Sequence, residues 1–136
     1  SAKEKAVTTL LKNILILTRD VDKSVALFTE GLGCKLLHHS KEYAEVRDAS
    51  NFRIAFKLVN SHAFCTTGYS PILNFQLKNN EDIAESIKKL ESDYGAKLDG
   101  DIQADEHFEV ATVKSADGHM ISLVKVKYEE TLDDEE

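Results

Sequence analysis

Apolar and polar positions divide the chain into two stretches with the same order of elements. Leu11-Lys12-Asn13-Ile14-Leu15-Ile16-Leu17-Thr18 is rich in branched apolar residues and predicts a largely buried strand. Arg19-Asp20 ends it, and Asp20 is suited to cap a helix. Val21, Val25, Phe28 and Leu32 then recur at helical spacing, and Gly31 and Gly33 end the run. Three short strand patterns follow at 34–39, 43–47 and 52–59, the last two separated by the turn-rich Asp48-Ala49-Ser50-Asn51.

The second stretch repeats this order. Residues 72–78 read as a strand, and Asn79-Asn80 offer caps. Ile83, Ile87 and Leu90 mark a helical face, and Gly95 closes it. Strands follow near 97–102, 108–114 and 119–126. The halves also superpose in sequence: Gly33-Cys34-Lys35-Leu36 falls on Gly95-Ala96-Lys97-Leu98, and Asn51-Phe52-Arg53-Ile54-Ala55-Phe56 on Gly118-His119-Met120-Ile121-Ser122-Leu123. A ferredoxin-like unit would place two strands between its helices, and a doubly wound sheet would alternate strand and helix throughout. The pattern predicts an α+β domain of two βαβββ repeats, 11–60 and 71–127, within a domain spanning 11–128.

Composition adds limits. The 136 residues, 42% hydrophobic and 30% charged, suit one soluble globular domain. No apolar run approaches the roughly 20 residues that cross a bilayer, and the charged opening leads into no signal-like core, so no membrane and a cytoplasmic location are expected. The net charge of -7 argues against nucleic acid as a partner. Most of it lies in Glu129-Glu130-Thr131-Leu132-Asp133-Asp134-Glu135-Glu136, read as a disordered, solubilising tail at 129–136, while 1–10 is a lead-in. Cys34 and Cys65 show no metal or redox spacing. His38 and His39 are adjacent on a strand and point to opposite faces, while His62, His107 and His119 fall in or beside loops. No nucleophile elbow or glycine-rich phosphate loop is present.

Two motifs carry a resemblance. Asp20-Val21-Asp22-Lys23-Ser24-Val25-Ala26-Leu27-Phe28 with Leu32-Gly33 resembles the first helix of the vicinal oxygen chelate proteins, the glyoxalase I, bleomycin-resistance and extradiol dioxygenase group. Ser115-Ala116-Asp117-Gly118-His119 with Ile121 and Leu123 is similar to the closing turn and last strand of that group. The resemblance spans residues 11 to 126. It implies an open, curved, barrel-like mixed sheet with helices on the outer face and a cleft on the concave face. In metal-using relatives it also implies one ligand on the first and last strand of each unit.

Those four positions fall on Asn13, Ala55, Ile72 and Ser122. Ala55 and Ile72 have no donor atom, and Asn13 and Ser122 are weak neutral ligands, so no metal and no cofactor are expected there. Strand parity assigns Arg53, Lys57, Asn74, Gln76 and Ser122 to the cleft, the resemblance adds Asn13, and Leu15, Leu17, Ile72 and Met120 form an apolar floor. Such a surface suits a small polar or anionic molecule, its cations meeting a carboxylate or phosphate and its amides orienting it. Parity assigns no carboxylate or histidine to the cleft. A lyase or isomerase of the glyoxalase kind would therefore need Glu45 or His39 as its base. A ligand-free dimeric scaffold is the third reading, and a homodimer is common among the proteins resembled.

Overall fold

Each half starts with a strand whose alternate side chains are held against a helix, and the backbone follows from that burial. The computed structural model describes residues 7–65 and 68–127; the acidic stretch 129–136 and most of the lead-in lie outside them. The first half contains β1 (Ile14–Thr18), α1 (Val21–Ala26), β2 (Lys35–His39), β3 (Tyr43–Arg47) and β4 (Arg53–Leu58). A single 3-10 turn, His62–Phe64, lies on the way to the second half. There β5 (Ile72–Gln76), α2 (Ile83–Tyr94), β6 (Lys97–Leu98), β7 (Gln103–Ala104), β8 (Phe108–Lys114) and β9 (Met120–Val126) follow.

The pairing repeats as the elements do. One sheet runs β1-β4-β3-β2 and the other β5-β9-β8-β6, with β7 also on β8. In each, the first strand pairs parallel to the last and the remaining pairs are antiparallel. The sheets stay separate and neither closes into a barrel, the architecture expected of two βαβββ units.

Local departures have local causes. Strand pairing starts at Ile14, opposite Ile54, so Asn13 precedes β1. Asp20 caps α1 as expected, accepting from the Lys23 amide. The helix then widens into a π segment, Leu27–Gly31, which buries Leu27 and Phe28 in succession. Asp82 caps α2 in place of Asn79-Asn80, its carboxylate accepting from the Glu85 amide at 3.0 Å. The strand expected over 97–102 is cut short to β6 before Gly100, whose φ of 88° interrupts extended backbone, and β7 starts only beyond the expected range. Leu58, which shares its parity with the buried Ile54 and Phe56, is 40% exposed at the end of its strand.

One apolar core serves both halves. Ile16, Phe28, Val46 and Phe56 from the first join Ile83, Ile87, Leu90, Ile121 and Leu123 from the second. The Phe28 ring meets Phe56 edge-on at 4.9 Å and Phe75, across the halves, at 6.2 Å. The two helices approach so closely at Gly31 that a Cβ there would lie 3.1 Å from the Leu90 side chain and 3.2 Å from the Tyr94 ring. Leu90→Ala should therefore cost about 2–5 kcal/mol in urea unfolding, through lost contact and a cavity between the halves. A loss under about 1 kcal/mol would mean that the junction collapses without it.

Candidate functional site

The face opposite the helices holds the residues expected to line a cleft. In the first sheet Leu15 pairs with Ala55 and Leu17 with Lys57, while Glu45 flanks Ala55 on the other side. Side chains alternate along each strand, so Leu15, Leu17, Glu45, Arg53 and Lys57 share one face and Ile16, Val46, Ile54 and Phe56 the other. The Asn13 amide donates to Glu45 Oε2 at 3.0 Å, and Arg53 Nη1 lies 3.5 Å from Glu45 Oε1. Glu45 is mostly covered, with 13% of its side chain exposed, whereas Arg53 is half exposed. The expectation of a cleft face without a carboxylate is thus corrected. Tyr43-Ala44-Glu45-Val46-Arg47 already held the signal, because Ala44 and Val46 are the buried set and Glu45 stands between them.

His39 faces the other way. It pairs with Ala44, past an irregularity in the β2 register, and its Nε2 lies 2.8 Å from Asp22 Oδ1 on α1. Hydrogen bonds from His39, then Lys41, hold the Asp22 carboxyl below its usual pKa.

In the second sheet Asn74 pairs with Ser122, and Ile72 with Met120. Ser122 and Thr112 hydroxyls share a hydrogen bond of 2.7 Å. The six candidate side chains therefore fall into two trios: Asn13, Arg53 and Lys57 with the first sheet, and Asn74, Gln76 and Ser122 on the second. The first trio is charged around Glu45, and the second is neutral. Leu15 and Ile72 are 51% and 48% exposed, whereas Met120 and Ser122 are buried on the central strand β9.

The residues at the four positions where metal-using relatives hold their ion do not fit one. Ala55 is fully buried between Leu15 and Glu45, and Ile72 again offers no donor. Asn13 is engaged with Glu45, Ser122 with Thr112, and the Arg53 guanidinium beside Glu45 opposes a cation.

A second constellation lies where the halves meet. Thr18, fully buried at the end of β1, donates its hydroxyl to Asp117 Oδ2 in the turn before β9. The same hydroxyl accepts from Ser24 Oγ at 2.9 Å and from the Asp20 amide at 3.1 Å. His119 Nε2 donates to the Leu17 carbonyl at 2.8 Å, which fixes its tautomer. The two motifs that carried the resemblance thus meet in space. Beside them a cavity of about 230 Å³ is lined by Arg19, Lys23, His62, Tyr94, Asp117 and His119, among others. The ring nitrogen of His62, the Cys65 thiol and an Asp117 carboxylate oxygen lie within 4.8 Å of one another. Burial, then the nearby Asp117 charge, pushes the Cys65 thiol pKa up. The sequence keeps these three apart, since Asp117 is remote in the chain. Its available signal was the spacing His62-Ala63-Phe64-Cys65.

The architecture is the glyoxalase/bleomycin-resistance/dioxygenase fold, that of the vicinal oxygen chelate proteins. Among solved structures the chain is similar to a glyoxalase/bleomycin resistance protein/dioxygenase family enzyme from Burkholderia phytofirmans, with a TM-score of 0.64, 18% identity, and 84% of this chain and 96% of that one covered. It is also similar to the fosfomycin resistance protein FosX of Listeria monocytogenes, complexed with Mn(II) and sulfate, with a TM-score of 0.68, 17% identity, and 91% and 95% covered. A possible glyoxalase from Bacillus cereus aligns with a TM-score of 0.66 at 14% identity, covering 85% and 98%. No family model matches the chain, and no curated protein matches its sequence.

Two outcomes follow from this geometry. Thr18→Val keeps the shape but leaves the Asp117 carboxylate and the Ser24 hydroxyl short of a partner; it should lower stability by about 1–3 kcal/mol in urea unfolding. The Cys34 thiol is buried and its pKa is pushed up to about 11 by desolvation, then by Asp48. At pH 8 it is almost wholly protonated, so alkylation of Cys34 should require unfolding. Rapid labelling of Cys34 in the native protein, read by mass spectrometry, would contradict that burial.

Proposed function

We propose that this chain is a divergent member of the vicinal oxygen chelate superfamily that binds a small polar or anionic molecule on its open sheet face, with no metal in the cleft. The observation that carries the reading is the arrangement around Glu45. Its carboxylate aligns Asn13 and Arg53 at one end of the face, where metal-using relatives place a ligand, and Ala55 beside it gives a metal nothing to hold. Lys57, exposed two positions beyond Ala55 and without an ion-pair partner among the described residues, supplies the cation that Glu45 does not neutralise. Asn74, Gln76 and Ser122 supply neutral donors and acceptors, and Leu15 and Ile72 supply apolar contact.

A homodimer, common among the proteins resembled, is the expected assembly. Both described cysteines are free, in keeping with a cytoplasmic setting, and no helix among the described residues is long and apolar enough to cross a membrane. Glu45 also sustains a second reading, a lyase or isomerase in which it takes a proton from a bound substrate. Against that stands its engagement by the Asn13 amide on one carboxylate oxygen and by Arg53 on the other.

Anionic compounds found by thermal-shift screening should lose binding in the Arg53→Ala, Lys57→Ala double variant, and excess chelator should leave their affinity unchanged. Unchanged affinity in the double variant refutes the site. Turnover of the hemithioacetal of methylglyoxal and a thiol, abolished by Glu45→Gln, would establish the enzymatic reading instead.

A further inference from the structure

We propose that His62, Cys65 and Asp117 form a zinc site at the seam between the halves, away from the sheet faces where the resemblance would put a metal. The three donor atoms already lie within 4.8 Å of one another, with Cys65 Sγ 3.8 Å from Asp117 Oδ1. A tetrahedral zinc with bonds of about 2.0–2.3 Å separates its ligands by roughly 3.3–3.8 Å, so modest side-chain rotation closes the site.

The backbone holds the donors in place. His62 and Cys65 stand three apart on a 3-10 turn, where side chains at that spacing eclipse. The turn is fixed by the Ser61 hydroxyl accepting from the Ala63 amide at 3.2 Å and by the Cys65 amide donating to the His62 carbonyl at 3.0 Å. Asp117 arrives from the other half with Oδ2 engaged by Thr18, while Oδ1 accepts from the Cys65 thiol at 3.8 Å and, at a long 3.4 Å, from the Arg19 amide. That hydroxyl is the kind of outer-shell partner that orients a ligating carboxylate.

The ligand chemistry selects the ion. One thiolate and one carboxylate balance a dication, and the sulfur and imidazole favour zinc over magnesium or calcium. On binding, the Cys65 thiol gives its proton to solvent. His62 and Asp117 also line the cavity, which leaves a fourth position for water or a small anion, with Arg19 and Lys23 on the same walls. The site joins the segment linking the two halves to the turn before β9, so an occupied site staples them.

Cobalt(II) titration of the full chain, freed of metal under reducing conditions, tests this directly. One equivalent should produce a thiolate-to-cobalt charge-transfer band, and zinc should displace it stoichiometrically. The band should persist in Cys34→Ala and vanish in Cys65→Ser. In His62→Ala, zinc affinity measured against a chromophoric chelator should fall by more than the roughly 10–100-fold typical of losing an outer-shell partner. Saturation without the band would place the metal on carboxylates or histidines elsewhere and overturn the proposal. So would a band that survives Cys65→Ser, or no binding by the folded wild-type chain, a result that stands even where a variant fails to fold.

Discussion

The contact between Thr18 and Asp117 fixes the junction on which the rest of the described structure depends. It ties the end of the first strand to a turn 99 positions away, and the Thr18 hydroxyl also accepts from Ser24 and from the amide of the helix cap Asp20. One fully buried hydroxyl therefore sets where β1 stops, where α1 starts and how the second half lies against the first. Leaving such a group without a partner in the interior is costly, which makes the junction geometrically exact rather than merely greasy. The apolar core provides the driving force on either side of it, but Phe28, Phe75 and Leu90 would tolerate small slips that this hydrogen-bond network does not.

The seam and the open sheet face divide the chemistry of the molecule. On the sheet face, alternation delivers side chains from adjacent strands to one surface, and Glu45 organises Asn13 and Arg53 there. At the seam, donors come from the 3-10 turn that links the halves and from the turn before β9, and they converge because the halves are locked together. The first arrangement suits recognition of a molecule from solvent. The second suits a compact ligand held between segments.

Much of the fold was legible because burial imposes periodicity. The order of elements, the Asp20 cap, the Gly95 stop and the face of β4 and β5 all follow from two- and 3.6-residue repeats read directly off the chain. Less was legible wherever backbone departs from those periods. The π segment at Leu27–Gly31, the break at Gly100 and the irregular β2 register, which turns His39 toward Asp22, leave no periodic trace. The candidate site divides the same way. Positions on strands could be assigned by parity, although Glu45, named as a candidate base, was left off the cleft face despite its buried neighbours. His62, Cys65 and Asp117 converge only through the packing of two halves, which no local pattern encodes.

The parallel pairing within each half also bears on the order of assembly. β3 meets β4, and β8 meets β9, across short turns, whereas Ile14 must find Ile54, and Ile72 must find Met120, across the whole length of a repeat. Loop-closure entropy rises with separation, so the hairpins are predicted to form first and the parallel strands to dock onto them. The links from Thr18 to Asp117 and from Leu17 to His119, 99 and 102 positions apart, close far longer loops and should be made last. A chain emerging from the ribosome would then hold a nearly complete first half, its β1 end still unlatched, until the final strand is synthesised.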